Sequence, residues 1–144
     1  MILISHRGNI EGPNPKMENH PIYINEAMNI GFDVEVDVRS LSGVCYLGHD
    51  TAQYEVEWNY LSDSKLWCHA KNIEALEIML DLGIHCFWHQ EDVVTLTSRN
   101  FIWNYPGTYL TKRSICVLPE TVGGIKVKEA AGVCSDYIGE DKKI

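Results

Sequence analysis

Residues 33–39, Asp-Val-Glu-Val-Asp-Val-Arg, alternate charged and β-branched side chains without a break, and a period of two fits only an extended strand. Val34, Val36 and Val38 then share one face, and Asp33, Glu35, Asp37 and Arg39 share the other. Like charges held side by side on a strand need a cation to join them or a solvated surface to spread on. If the charged face lines the interior or mouth of a barrel, Glu35 and Asp37 point into it together.

The segments around this strand repeat one theme. Residues 2–5 form a short apolar run that ends at His6, followed by a Gly/Pro/Asn-rich loop from Gly8 to Pro15. Pro21 opens a predicted helix to about Ile30, with Ile24, Ala27 and Met28 on one face and Gly31 as its stop. A strand over 43–48 ends at His49, and residues 54–60 alternate Tyr54, Val56, Trp58 and Tyr60 with polar positions, as an edge strand or amphipathic cover would. A strand at 66–70 leads through the N-cap Asn72 into a helix at 73–82, with Ile73, Leu76, Met79 and Leu80 available for the core. Ile84 to Trp88 ends at His89-Gln90, and 93–97 with 101–105 read as a hairpin around Arg99-Asn100. A strand at 114–118, a short helix at 125–131 and a last strand at 133–137 complete the chain.

Strands separated by helices and loops, with polar residues at their C-terminal ends, predict an α/β fold: a reduced TIM-type (β/α) barrel with its site on that face. A full barrel takes about 250 residues. With 144 residues several helices must be shortened or missing, and no Pro/Gly/Ser-rich linker divides the single domain expected over 1–144.

Composition narrows the partners. A net charge of −8 with no basic stripe argues against nucleic acid, so an anionic substrate must be held locally. No apolar run is long enough to span a bilayer, and the start, Met1-Ile2-Leu3-Ile4, does not read as a signal peptide. Cys45, Cys68, Cys86, Cys116 and Cys134 are odd in number, lack CxxC spacing and fall in apolar segments, which predicts buried free thiols and a cytoplasmic setting.

The polar residues at the strand ends carry the chemistry. Cleaving a phosphodiester with a metal needs hard oxygen ligands, a cation on the phosphate, and an acid and a base on opposite sides of phosphorus. Glu35 and Asp37 suit the first role, Arg7 the second, and His6 and His49 the last. Taken in order, His6-Arg7-Gly8, Glu18-Asn19, Gly31 to Val38 and His49-Asp50 closely resemble the glycerophosphodiester phosphodiesterase family, one of the phosphatidylinositol-phospholipase-C-like barrels. The resemblance implies a hydrolase of small phosphodiesters in which His6 and His49 are the acid/base pair, Glu35 and Asp37 bind Mg²⁺ or Ca²⁺, and Arg7 contacts phosphate. It leaves open whether the product is hydrolysed or cyclic.

The match continues more weakly in Leu66-Trp67-Cys68-His69-Ala70-Lys71, which resembles the family strand where an acidic ligand is followed two residues later by a phosphate-binding lysine. Lys71 matches that lysine, whereas His69 stands where the acid would be. A nitrogen ligand in place of a carboxylate weakens Mg²⁺ and Ca²⁺ and favours Mn²⁺ or Zn²⁺. The short segment between His49 and Lys71 also removes loops that would shape a glycerol pocket. Both departures support an alternative, a phosphoester-binding barrel without catalysis. Cys134-Ser135-Asp136 resembles the last barrel strand, with Asp136 expected to be structural, and Glu18-Asn19 is expected to fix the loop behind Arg7. His89, Trp103 and Glu120 are candidate pocket residues. His85 and His89, four apart on a strand and roughly 13 Å from each other, do not make a metal motif. The Tyr54, Val56, Trp58 and Tyr60 face offers a homodimer contact.

Overall fold

The structure is a computed structural model that describes residues 1–140. Its centre is one ten-stranded mixed sheet. In chain order the elements are β1 (Ile2–His6), α1 (Pro21–Ile30), β2 (Asp33–Leu41), β3 (Val44–Leu47), β4 (Tyr54–Glu55), β5 (Leu66–Ala70), α2 (Ile73–Asp81), β6 (Cys86–Phe87), β7 (Val94–Leu96), β8 (Ile102–Asn104), β9 (Ser114–Val117) and β10 (Gly132–Ser135). Short 3₁₀ turns lie at Trp58–Ser62, Pro119–Thr121 and Val127–Glu129.

Strand β1 sits in the middle, parallel to both β2 and β10, and β10, β9 and β8 follow in parallel. Residues 34–38 of β2 pair with β5 in parallel, and β5 continues to β6. The far end of β2 turns back instead, pairing antiparallel with β3 and through it with β4. On the other side β7 closes an antiparallel hairpin on β8.

This arrangement corrects the expected TIM-type barrel. The sheet curls into a half-barrel, and two α-helices are all that accompany it among the described residues. Only the β1–β2 and β5–β6 connections carry a helix. The segment from 42 to 65 is used up by β3, β4 and a 3₁₀ turn, while Pro106-Gly107 and Gly123-Gly124 interrupt the later connections. The ladder stops at β6 and β7, where the Ser98 N–H donates to the Cys86 carbonyl at 2.8 Å and the Cys86 N–H donates to Ser98 Oγ at 2.9 Å.

The helices form where the sequence says they should. Pro21 starts α1 and the His20 imidazole caps it by accepting the Ile22 N–H, while Gly31, at φ +117°, ends it in the left-handed region. Asn72 caps α2 by accepting the Ala75 N–H and also binds both backbone groups of Ser40, which ties the helix to β2. Ile24 and Ala27 bury the inner face of α1, but in α2 the buried pair is Ala75 and Met79, and the expected core positions Ile73 and Leu80 are exposed.

Two apolar clusters result. The outer one packs Val34, Val36, Val38, Cys68 and Cys86 under the helices. Tyr54, Val56, Trp58 and Tyr60 pack over it half-buried, and of the expected strand only Tyr54–Glu55 are paired into the sheet. The inner cluster, Ile4, Trp67, Phe87, Trp103, Ile115, Val117 and Cys134, fills the concave side. Burying side chains of this size contributes about 1.5–3 kcal/mol each. All five cysteines are buried and unbridged, and burial pushes the Cys45 thiol up to about 12. No helix among the described residues is long and apolar enough to cross a membrane.

Candidate active site

Parallel register sets the concave face. His6 pairs with Glu35 and Glu35 with Trp67, while one layer higher Asp37 pairs with His69 and His69 with Phe87. In-register residues of parallel strands project to the same side, so the alternation of β2 delivers both acids beside His6 and His69. Glu35, but not Asp37, borders a cavity of about 140 Å³ lined also by His6, Arg7, His49, His69, Lys71, His89 and Trp103 among others.

His6 closes one wall. Its Nδ1–H donates to Asp136 Oδ1 at 2.7 Å, and its Nε2 lies 3.8 Å from Glu35 Oε2. Burial lowers the affinity of the imidazole for a proton, but the bond to Asp136 and the charge of Glu35 more than reverse this and raise its pKa. Asp136 thus holds the His6 ring in place without itself lining the cavity. It also accepts from Asn9 Nδ2 at 2.8 Å, and its own N–H donates to Glu120 Oε1 at 2.9 Å. Glu120 thus stands behind Asp136 and is not among the residues lining the cavity.

Arg7 follows β1 with φ +56°, its N–H donating to the Glu35 carbonyl. Gly8 makes the turn feasible, since a Cβ there would meet the Tyr23 ring at 2.6 Å. The guanidinium bridges Asp37 at 3.0 Å and Glu18 at 3.3 Å, while Asn19 exchanges two bonds of 2.9 Å with Asp37. Glu18 and Asn19 fix the loop as expected. Lys71 Nζ lies 3.5 Å from Asp37 Oδ1. His49 stands at the mouth, paired with Asp50 at 2.7 Å.

Glu35, Asp37 and His69 offer ligand atoms within 4.8 Å of one another, a group that could hold a metal ion. His69 Nδ1 lies 3.6 Å from Glu35 Oε1 and 3.8 Å from Asp37 Oδ1. Glu35 Oε2 and Asp37 Oδ1 are buried and make no hydrogen bond, with His6 Nε2 at 3.8 Å from the first and Lys71 Nζ at 3.5 Å from the second as their nearest charged or imidazole neighbours. Burial works to raise the Glu35 pKa, yet contact with His69 and the charges of His6 and Arg7 hold it at about 2. His69 is held in place by stacking, on Phe87 at 4.9 Å and on His89 at 4.7 Å between ring centroids.

His89 reaches the cavity with neither ring nitrogen bonded to another side chain, and burial, followed by the proximity of His69 and Lys71, lowers its pKa. Trp103 belongs both to the inner core and to the cavity wall. Gln90, Tyr105 and Val117 complete the wall. The sequence marked Gln90 and Tyr105 only as neighbours of candidates, although each sits at a C-terminal strand end. His85, by contrast, does not line the cavity: its Nε2 pairs with Thr97 Oγ1 at 2.8 Å and its ring packs on Trp67.

No protein-family model, curated protein or solved structure matches the chain. The site's own geometry therefore carries the functional argument.

Proposed function

We propose that this protein is a metal-dependent phosphodiesterase of small, glycerophosphodiester-like substrates. The observation that carries the reading is the convergence of His6, Arg7, Glu35, His49, His69 and Lys71 on one cavity of about 140 Å³. Three imidazoles, two cations and a carboxylate from four separate segments have little structural reason to meet there.

Glu35, Asp37 and His69 would hold the ion. Once bound, Mn²⁺, Mg²⁺ or Ca²⁺ would polarise the phosphoryl oxygens and offset charge as it develops. Arg7 and Lys71 orient the phosphate. His6, aimed by Asp136, takes a proton from the attacking oxygen, whether that oxygen belongs to water or to a substrate hydroxyl, and His49 donates one to the leaving oxygen. Purified protein given glycerophosphodiesters or an activated diester with each metal should turn over and lose activity in His6→Ala. A wild type inert under every combination removes the reading.

One observation favours a second reading, a phosphoester-binding protein without catalysis. Asp37 already meets Arg7, Lys71 and Asn19, so its charge is balanced without a metal. Calorimetry that finds phosphoester binding indifferent to metal, with no hydrolysis, supports this alternative.

A further inference from the structure

The end of the sheet opposite the catalytic cavity carries a groove of about 850 Å³ between residues 109–113 and 128–130, continued by one of about 450 Å³ along Ile125 and Lys126. Strand β9 joins the two sites: Arg113, just before it, lines the groove, and Val117, its last residue, lines the cavity.

Charge sets the groove apart. Lys112, Arg113, Lys126 and Lys128 are accompanied by a single carboxylate, Glu129, in a chain whose net charge is −8. None of these cations makes an ion pair among the described residues. Tyr109, 83% exposed, supplies an aromatic wall with the half-buried Leu110 and Ile125.

The opposite character lies on α2. Its inner side buries Ala75 and Met79 and packs on β2, β5 and β6, while its outer side leaves Ile73 66% and Leu80 53% exposed. Glu74, Glu77 and Asp81 are exposed beside them, and at about 3.6 residues per turn the five side chains form one stripe. Residues 73–82 include no Lys or Arg, and the three carboxylates make no ion pair among the described residues. Helix α1 is different, with Glu26 its sole carboxylate.

Each surface carries what the other lacks. Three carboxylates flanking two aliphatic side chains answer four cations beside an aromatic and aliphatic wall, as when an amphipathic helix lies in a groove. Within one chain the two stand apart, since α2 packs on β2, β5 and β6 and the groove borders the starts of β9 and β10. A second copy can bring them together.

We propose that the protein associates head to tail, the acidic stripe of α2 from one copy lying in the basic groove of the next. The contact is heterologous, so each added copy leaves one groove and one helix open unless the rotation closes a ring. A nine-residue helix is about 13 Å long, which buries less than a standard interface and makes the association weak and concentration-dependent. Neither surface includes a residue of the catalytic cavity.

Sedimentation of the full chain over a range of concentrations tests this. In about 0.1 M salt the wild type should rise above the monomer mass with concentration, and about 1 M salt should return it towards the monomer by screening. The double variants Lys112→Glu, Lys128→Glu and Glu74→Lys, Glu77→Lys should each be monomeric, and the quadruple variant, which keeps the net charge of −8, should associate again. Circular dichroism checks that each variant folds, and because the reversed residues are exposed, turnover stays a separate readout of the phosphodiesterase reading. A wild type at the monomer mass at every concentration overturns the proposal and leaves the groove to an occupant other than this chain. Association that persists in both double variants belongs to another face and overturns it too, as does a folded quadruple variant that stays monomeric.

Discussion

His6 and Asp136 lie 130 positions apart in sequence and 2.7 Å apart in space. The carboxylate fixes which imidazole nitrogen carries the proton and turns the other towards Glu35. Asp136→Asn keeps the volume and removes the charge, and should lower kcat by about 100-fold or more, as loss of an orienting aspartate does in other histidine dyads. Steady-state kinetics at several pH values, with circular dichroism to verify folding, reads the effect; an unchanged kcat would mean that His6 needs no orientation.

Metal binding should register as stability. An ion held only by the folded chain at 100 times its dissociation constant adds about 2.7 kcal/mol. Mn²⁺ or Zn²⁺ is expected to raise the melting temperature more than Mg²⁺, and His69→Ala should abolish that preference by removing the nitrogen ligand. A melting temperature indifferent to every divalent ion would favour the non-catalytic reading.

Gly48→Ala should be disruptive out of proportion to one methyl group. Its Cβ would overlap the Thr51 carbonyl at 1.9 Å, so the turn must open. A loss of about 1–3 kcal/mol in urea denaturation is expected, together with weaker turnover, because His49 moves with the turn. A midpoint equal to that of the wild type would show that the loop has a second conformation of equal energy.

His85 should make the fold acid-sensitive. Burial and the nearby Arg99 depress its pKa from 6.5 to about 4, so the unfolded chain binds a proton that the folded chain refuses. The contribution of neutral His85 is fully present above pH 6.5 and is lost as pH falls from 6.5 towards 4, an upper bound of about 3 kcal/mol. Denaturation across that window should show a shallower pH dependence for His85→Leu than for the wild type. Parallel profiles would assign the acid sensitivity to the carboxylates.

How far the sequence discloses this molecule depends on the range of each interaction. The alternation in β2 is local, and it places Glu35 and Asp37 on the concave face and the valines beneath the helices. Caps and stops are local too, so α1 and α2 begin where His20-Pro21 and Asn72 indicate. The curvature of the sheet is not local. A strand pattern says nothing of how many connections will carry a helix, and the antiparallel β3 and β7 replace units that a barrel would need. The alternation at 54–60 allows either an edge strand or a cover, and the chain uses both: Tyr54–Glu55 pair as β4 while Trp58 and Tyr60 cover the outer cluster from a 3₁₀ turn. The stacking of His69 on both Phe87 and His89 and the service of Asp136 to His6 arise from register between strands, which one chain read alone does not display.

The pairing of β1 with β10 also bears on how the protein is made. Local units such as β5–α2–β6 can form while the chain is still being synthesised, but the first strand finds one of its two neighbours only after more than a hundred further residues have emerged. Contacts of such long sequence separation are slow to close. During translation β1 would present an apolar edge for many seconds at about 5–20 residues per second, and His6 would lack the partner that orients it. The His6–Asp136 contact is thus among the last features the chain acquires, and substitutions in β10 should reduce the yield of folded protein before they alter the molecules that do fold.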